Sequence, residues 1–278
     1  MKLEYTILPG NRLPAAALLI IKVLEFWMTN FPVPYTIAVV GAASGIGHAA
    51  AGLMARRGAT VVCLDIDGEG VRATSEKITL AGGKASSAAI DVSDRVSQRA
   101  VWDGIVRANG QLHGLVNCAG VTGKTNIKAH DVDPDDFDFV YRINLLGALL
   151  VSQAVLPHML SKNYGRILHI ASIAGKEGNA GMTAYSATKA GLIGMVKSMG
   201  KDYAETGITI NALAPAVIRT PMVAALPNAQ VKYMTDKIPM KRCGELEEAA
   251  ELIAWIASPA CSFTTGFTFD LSGGRATY

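Results

Sequence analysis

Apolar and polar positions fall into two regimes along this chain. Residues 1–35 hold one apolar stretch, Leu13–Trp27, interrupted only by Lys22 and Glu25, and then Pro32 and Pro34 end any helix before Tyr35. From Thr36 onward, short β-branched runs alternate with longer segments of helical period. Strands are predicted at Thr36–Val40, Thr60–Leu64, Ala85–Ile90, Gly114–Asn117, Arg166–Ala171, Ile208–Leu213 and Phe267–Leu271. Helices are predicted at His48–Arg57, Ser93–Asn109, Pro134–Leu160, Thr183–Glu205 and Glu245–Ala257. Strand, glycine turn, helix and strand form the unit from which right-handed crossovers build parallel sheets. The alternation therefore predicts an α/β fold, one doubly wound parallel sheet over residues 36–278, preceded by an extension at 1–35.

The uncharged part of the extension is too short to span a bilayer, and no small-residue cleavage site follows it. It is expected to pack on the surface or to be disordered, with no membrane partner, and Met28 stands as an alternative start.

Composition narrows the function. Half of the 278 residues are hydrophobic, enough to bury the core of one domain. The net charge of +3 arises from scattered residues, with no basic stripe and 6% aromatics, which argues against nucleic acid as a partner. Cys63, Cys118, Cys243 and Cys261 form no C-x-x-C, so neither zinc nor a disulfide framework is expected, in keeping with a reducing, cytoplasmic setting. The five histidines show no ligand spacing, and no metal site is predicted. The acidic cluster Asp131–Asp138 reads as a helix start: Asp133 caps, Pro134 takes the first helical position, and Asp135 and Asp136 complement the dipole.

The stretch from Ser172 to Lys189 carries candidate chemistry. Ser172 ends an apolar run, and on a helix Tyr185 and Lys189 stand one turn apart on one face. A free phenol titrates near about 10, and an ammonium beside it would favour the phenolate and make it usable as an acid or base at neutral pH. Ser172 is placed to hydrogen-bond the same substrate oxygen. Tyr233 and Lys237 repeat the spacing but have no serine at a strand end upstream, so they are read as ordinary helix surface.

A second constellation lies near the start of the sheet. Gly41, Gly45 and Gly47 separate the first strand from the first helix, where glycine permits a tight turn and the helix N-terminus receives a pyrophosphate. Asp65 ends the second strand 18 residues later, positioned to accept from the hydroxyls of an adenosine ribose.

Taken together, G-x-x-x-G-x-G, the N-C-A-G of Asn117–Gly120 and the set Ser172, Tyr185, Lys189 resemble the short-chain dehydrogenase/reductase family from Thr36 to Gly274. The resemblance implies a Rossmann-type fold, with Tyr185 as acid/base, Ser172 orienting the substrate oxygen, Lys189 serving the tyrosine and the nicotinamide ribose, and Asn144 completing a proton relay. It further implies a cofactor site at Gly41, Ser44, Gly45, Ile46, Gly47, Asp65, Ile66, Asp91, Val92, Asn117, Ala119, Gly120, Tyr185, Lys189, Pro215, Ile218 and Thr220. Three positions depart from the family pattern: Val40 stands for threonine, Cys118 for the second asparagine of N-N-A-G, and Ala216 for glycine after Pro215. Only Ala216 is expected to shift the seat of the nicotinamide.

These readings converge on an NAD-dependent oxidoreductase interconverting a secondary alcohol and a ketone. Short stretches such as A-G-K-E-G-N and F-D-L-S-G-G resemble 3-oxoacyl carrier-protein reductases and sugar or sugar-acid dehydrogenases. The competing class is a non-catalytic dinucleotide-binding or scaffolding protein, which would need none of Asn144, Ser172, Tyr185 and Lys189. Asp67 and Glu69 follow Asp65 with no cation nearby, which favours NAD over NADP. Val217–Met240 is expected to close over the substrate, and Arg219 is read either as a carboxylate contact or as a surface residue. Apolar faces on Phe137–Leu160 and Thr183–Met199 predict a homo-oligomer, a tetramer by resemblance.

Overall fold

The β-branched runs do become strands, and all of them pair in parallel. The structure, a computed structural model, describes residues 30–276 and 278. The expectations for Leu13–Trp27 and Met28 lie outside the described residues. Strand β1 (Thr36–Val40) pairs with β2 (Thr60–Asp65) on one side and β4 (Gly114–Asn117) on the other. With β3 (Lys84–Ala89), β5 (Gly165–Ile170), β6 (Ile208–Pro215) and β7 (Thr268–Leu271), the sheet order is β3-β2-β1-β4-β5-β6-β7.

Alternate side chains of β1 and β2 pack on opposite faces of the sheet. Ile37, Val39, Val61 and Cys63 pack on one face with Ala50 and Met54 of α1 (Gly45–Arg56), Val71 and Ile78 of α2 (Gly68–Leu80), and Ile253. Ala38, Val40, Val62 and Leu64 pack on the other with Trp102 and Ile105 of α3 (Arg95–Asn109), and with Val151 and Met159. Burial on both faces explains why the strands read as continuous apolar runs without polar alternation.

The predicted helix from Pro134 is interrupted. Asp133 accepts from the Asp135 amide and Pro134 sits in the first turn, as the acidic cluster suggested, but α4 (Pro134–Tyr141) and α5 (Gly147–Ser161) are joined by a π-helical turn, Arg142–Leu146. The extra residue in that turn rotates Asn144 into the interior. By length and composition Pro134–Ser161 is apolar enough to cross a membrane, yet half of its apolar 18-residue window is buried within this molecule.

Among the described residues the remaining α-helices are α6 (Ala174–Glu177), α7 (Thr183–Asp202), α8 (Pro221–Ala224), α9 (Asn228–Asp236) and α10 (Leu246–Ile256). The sequence pattern did not show α2, and of α9 it offered only the reading of Tyr233 as helix surface. The inner face of α2 includes buried Thr74 and Ser75, so it lacks an unbroken apolar stripe.

Packed structure also begins earlier than Thr36. Phe31 and Tyr35 are 5% and 2% exposed and belong to the core. The Tyr35 hydroxyl bonds the Ala257 carbonyl at 2.8 Å and Tyr164 at 2.9 Å. Pro32 and Pro34 stop a helix there without preventing extended chain from docking its aromatic rings.

Candidate active site

Helical connections reverse direction between β1 and β4, and a crevice opens there beyond the carboxyl ends of the strands, where open α/β sheets bind ligands. Its cavity of about 410 Å³ is lined by predicted residues Gly41, Ser44, Gly45, Ile46, Gly47, Asp65, Ile66, Asp91, Val92, Ala119, Gly120 and Thr220. Val40, Cys118, Val121, Ile143 and Ile170 line it too, and no sequence motif marked these last three.

The glycines are there for space. Gly41 has φ +81°, and a Cβ on it would lie 2.9 Å from the Ala119 nitrogen; a Cβ on Gly47 would lie 2.1 Å from the Gly41 carbonyl oxygen. The turn thus folds directly against the start of α1. No side chain caps that helix and its first turn holds no acid, which leaves a helix N-terminus suited to an anion.

Asp65 lies on the crevice floor beside the glycine turn. Its carboxylate accepts from the amides of Ala43 and Asp67, both at 3.2 Å, and keeps lone pairs for further donors. Ile66 beside it is 73% exposed. Asp91 accepts from the Ser93 amide at 2.8 Å and the Ser93 hydroxyl at 2.7 Å, which fixes the turn after β3. The lining contains these two acids and neither lysine nor arginine.

The remaining predicted cofactor residues lie outside that lining. Asn117 faces inward, its side-chain oxygen accepting from the Ala119 amide at 3.2 Å. Pro215 ends β6 and takes a hydrogen bond from the Ile173 amide at 3.0 Å. Ile218, two residues before Thr220 of the lining, is buried and bridges to Gly244, while the Thr220 methyl stands 3.7 Å from where a Gly45 Cβ would be. Ala216 donates its amide to Leu271 at 2.9 Å. Arg219 pairs with Glu245 at 3.1 Å and is half exposed, which matches the surface alternative.

The catalytic candidates converge where β4 and β5 end. A Cβ on Gly120 would lie 3.2 Å from both the Asn144 side-chain oxygen and the Lys189 nitrogen, so these three residues meet at one point. Asn144 accepts from the Val121 amide at 2.8 Å and donates to the Val121 carbonyl at 2.8 Å and the Thr188 hydroxyl at 3.2 Å. Lys189, 4% exposed, donates to the Ile170 carbonyl at 2.7 Å and stands 5.7 Å from the centre of the Tyr185 ring. Ser172 accepts from the Ala174 amide at 3.1 Å.

Ionisation departs from the sequence expectation. Burial raises the Tyr185 phenol above its ordinary value, and the only opposing influence is its hydrogen bond with Ser172. Lys189 does not do the lowering; burial brings its own ammonium down to about 8. The exposed pair shows the reverse: Lys237 donates to the Tyr233 phenol at 3.0 Å and lowers its pKa, while Tyr233 remains 64% exposed.

Behind the site runs a buried polar chain absent from the sequence reading. The Ser152 hydroxyl donates to the Ala148 carbonyl at 2.8 Å, so it accepts from His169 Nε2 at 2.9 Å, and His169 Nδ1 then accepts from the Asn117 amide group at 3.2 Å. His169 is fully buried, and desolvation with the nearby Lys189 charge lowers its pKa to about 3. A neutral histidine thus props the N-C-A-G turn. Within the apolar run of β5 no spacing marked it.

Comparison with known proteins places the whole arrangement. The family profile described as Enoyl-(Acyl carrier protein) reductase, adh_short_C2, matches residues 41–276. The 2-dehydro-3-deoxy-L-rhamnonate dehydrogenase (NAD(+)) of Sphingomonas sp. (strain SKA58) is 42% identical over 240 residues, 86% of this chain and 94% of that protein. The 3-oxoacyl-[acyl-carrier-protein] reductase FabG of Thermotoga maritima is 37% identical over 236 residues, 85% of this chain and 95% of that protein. The crystal structure of gox2181 superposes with a TM-score of 0.85 at 29% identity, covering 90% of this chain and 98% of the other. Sequence, sheet and crevice agree: the chain belongs to the short-chain dehydrogenase/reductase family, an oxidoreductase family acting on CH-OH donors.

Proposed function

We propose that this chain is an NAD-dependent dehydrogenase that interconverts a secondary alcohol and a ketone, with a catalytic domain that takes in the predicted residues 36–278 and also Phe31 and Tyr35. The observation that carries the reading is one continuous crevice. It has Asp65 at the ribose end with no cation in its lining, and it reaches Gly120, where Asn144 and Lys189 meet. The glycine turn and the uncapped start of α1 fit a dinucleotide pyrophosphate. When bound, the nicotinamide supplies or takes the hydride.

The chain's own groups do the rest. Tyr185 passes a proton to or from the substrate oxygen, and Ser172 hydrogen-bonds that oxygen and the phenol. The Lys189 ammonium, anchored on Ile170, provides the nearby positive charge, and Asn144 holds the turn at Val121 against it. Asp65 accepts from the ribose hydroxyls, while Ile66, Asp91 and Val92 bound the adenine end.

The names of the relatives support two substrate classes, a 2-dehydro-3-deoxy sugar acid and a 3-oxoacyl thioester. A panel of both, with simple secondary alcohols, is to be followed at 340 nm in the presence of NAD or NADH. Turnover of at least one class is expected, and no turnover of any would contradict the proposal. Half-exposed Phe139, Tyr141, Leu160, Trp255 and Phe267 support a homo-oligomer, with a tetramer expected as the mass by light scattering. A monomer mass at micromolar concentration would contradict it.

A further inference from the structure

Between Ser172 and Tyr185 the chain makes α6, turns at Gly178 (φ +72°) and Gly181 (φ +75°), and enters α7. From Gly175 to Thr183 this loop buries no side chain in the core. Gly175 packs closely on the Lys189 backbone, and the Ile127 amide donates to the Gly181 carbonyl at 3.4 Å, but most side-chain ties to the loop come from the end of the chain. Lys176 donates to both oxygens of Asp270 in β7 at 2.9 and 2.8 Å, its side chain only 9% exposed. Arg275 holds Glu177 at 2.8 Å and the Asn179 side-chain oxygen at 3.1 Å, and it too is 9% exposed. The Tyr278 hydroxyl donates to the Lys176 carbonyl. The loop's inward tie is the Asn179 amide, which donates at 3.0 Å to Ser186, the residue after Tyr185.

The same C-terminal segment also meets the far end of the segment expected to close over substrate. The Met240 amide donates to the Gly273 carbonyl at 3.2 Å, and a Cβ on Gly273 would lie 2.7 Å from Ile238. One strut therefore touches both walls of the substrate side.

We propose that the segment Asp270–Ala276 holds the loop between Ser172 and Tyr185 in its reactive position, and that Arg275 is a positioning residue for the reaction, acting through Glu177 and Asn179. Near-complete burial of the Arg275 and Lys176 side chains suits this role. A charge removed from water stays with its partner, and its planar or bidentate bonds fix direction as well as distance. Arg275 touches neither Ser172 nor Tyr185; it sets where their connecting loop lies.

The inference rests on the reading of Ser172 and Tyr185 as catalytic, so its decisive test needs no substrate. Hydrogen exchange is followed in the full chain for wild type, Arg275→Met, Arg275→Lys and Glu177→Gln, comparing amides 175–182 with those of the glycine turn 41–47. Arg275→Met is expected to exchange at least tenfold faster in 175–182 and unchanged in 41–47, Arg275→Lys to recover most of the protection, and Glu177→Gln to lie between. Protection in 175–182 that is unchanged, or lost equally in both segments, would overturn the proposal. With a 3-oxoacyl thioester and NADH, kcat of Arg275→Met should fall at least fivefold with NADH affinity within twofold of wild type, and an unchanged kcat would equally overturn it. Wild-type inactivity on every ketone would instead count against the proposed function. If Arg275→Met fails to fold, Glu177→Gln carries the same comparison from the more exposed end of the pair.

Discussion

The Lys189 ammonium stands 5.7 Å from the centre of the Tyr185 ring and gives its short hydrogen bond to the Ile170 carbonyl, not to the phenol. In this state the pair is not yet a low-pKa tyrosine. Burial acts on both members, holding the phenol protonated and bringing the ammonium down to about 8.

A pH-dependent stability follows. An unfolded lysine keeps its proton to about 10.4, whereas folded Lys189 releases it near 8. Between those values the unfolded chain binds more protons, so this group's contribution raises stability as pH rises through the window and is flat below it. Relative to Lys189→Met, the wild type should gain on the order of 3 kcal/mol between about pH 8 and 10.4. Paired urea melts across that range check this, and a constant gap would refute it.

Tyr185→Phe removes the proton carrier while leaving the ring in place. Turnover should fall at least about a hundredfold with NADH affinity nearly intact. Tyr233→Phe, on an exposed surface pair of the same spacing, should leave the chemical step unaltered. Near-normal rates in the first variant, measured on the same substrate, would end its assignment.

The comparison of those two tyrosines shows how far the sequence could be read. Spacing made them equal; Ser172 at a strand end separated them, and burial in the fold does so again. The path from β1 through the glycine turn to Asp65 was legible because each step has its own residue chemistry: β-branched run, glycine, apolar helix, acid. Helix α2 was not, since Thr74 and Ser75 occupy its inner face. The π turn that seats Asn144 and the buried His169 leave no periodic mark, and the Tyr185 and Lys189 shifts come from burial, a tertiary property.

The N-terminal boundary gives a truncation pair. A chain starting at Met28 should fold and stay active, because it keeps Phe31, the first core side chain among the described residues. One starting at Thr36 loses Phe31 and Tyr35, and buried aromatic groups of that size should cost at least about 3 kcal/mol. Equal denaturation midpoints for the two truncations would show that these rings contribute nothing.

The central claim is an NAD-dependent enzyme with Asp65 at the adenosine ribose. A 2′-phosphate there would set about two negative charges against a carboxylate inside a crevice whose lining offers no cation. The direct measurement is kcat/KM for NAD and for NADP with one working substrate, on the wild type and on Asp65→Ser. The wild type should favour NAD at least tenfold, about 1.4 kcal/mol, and Asp65→Ser should narrow the gap chiefly by improving NADP. Equal use of the two cofactors by the wild type would contradict both the cofactor and the place given to Asp65.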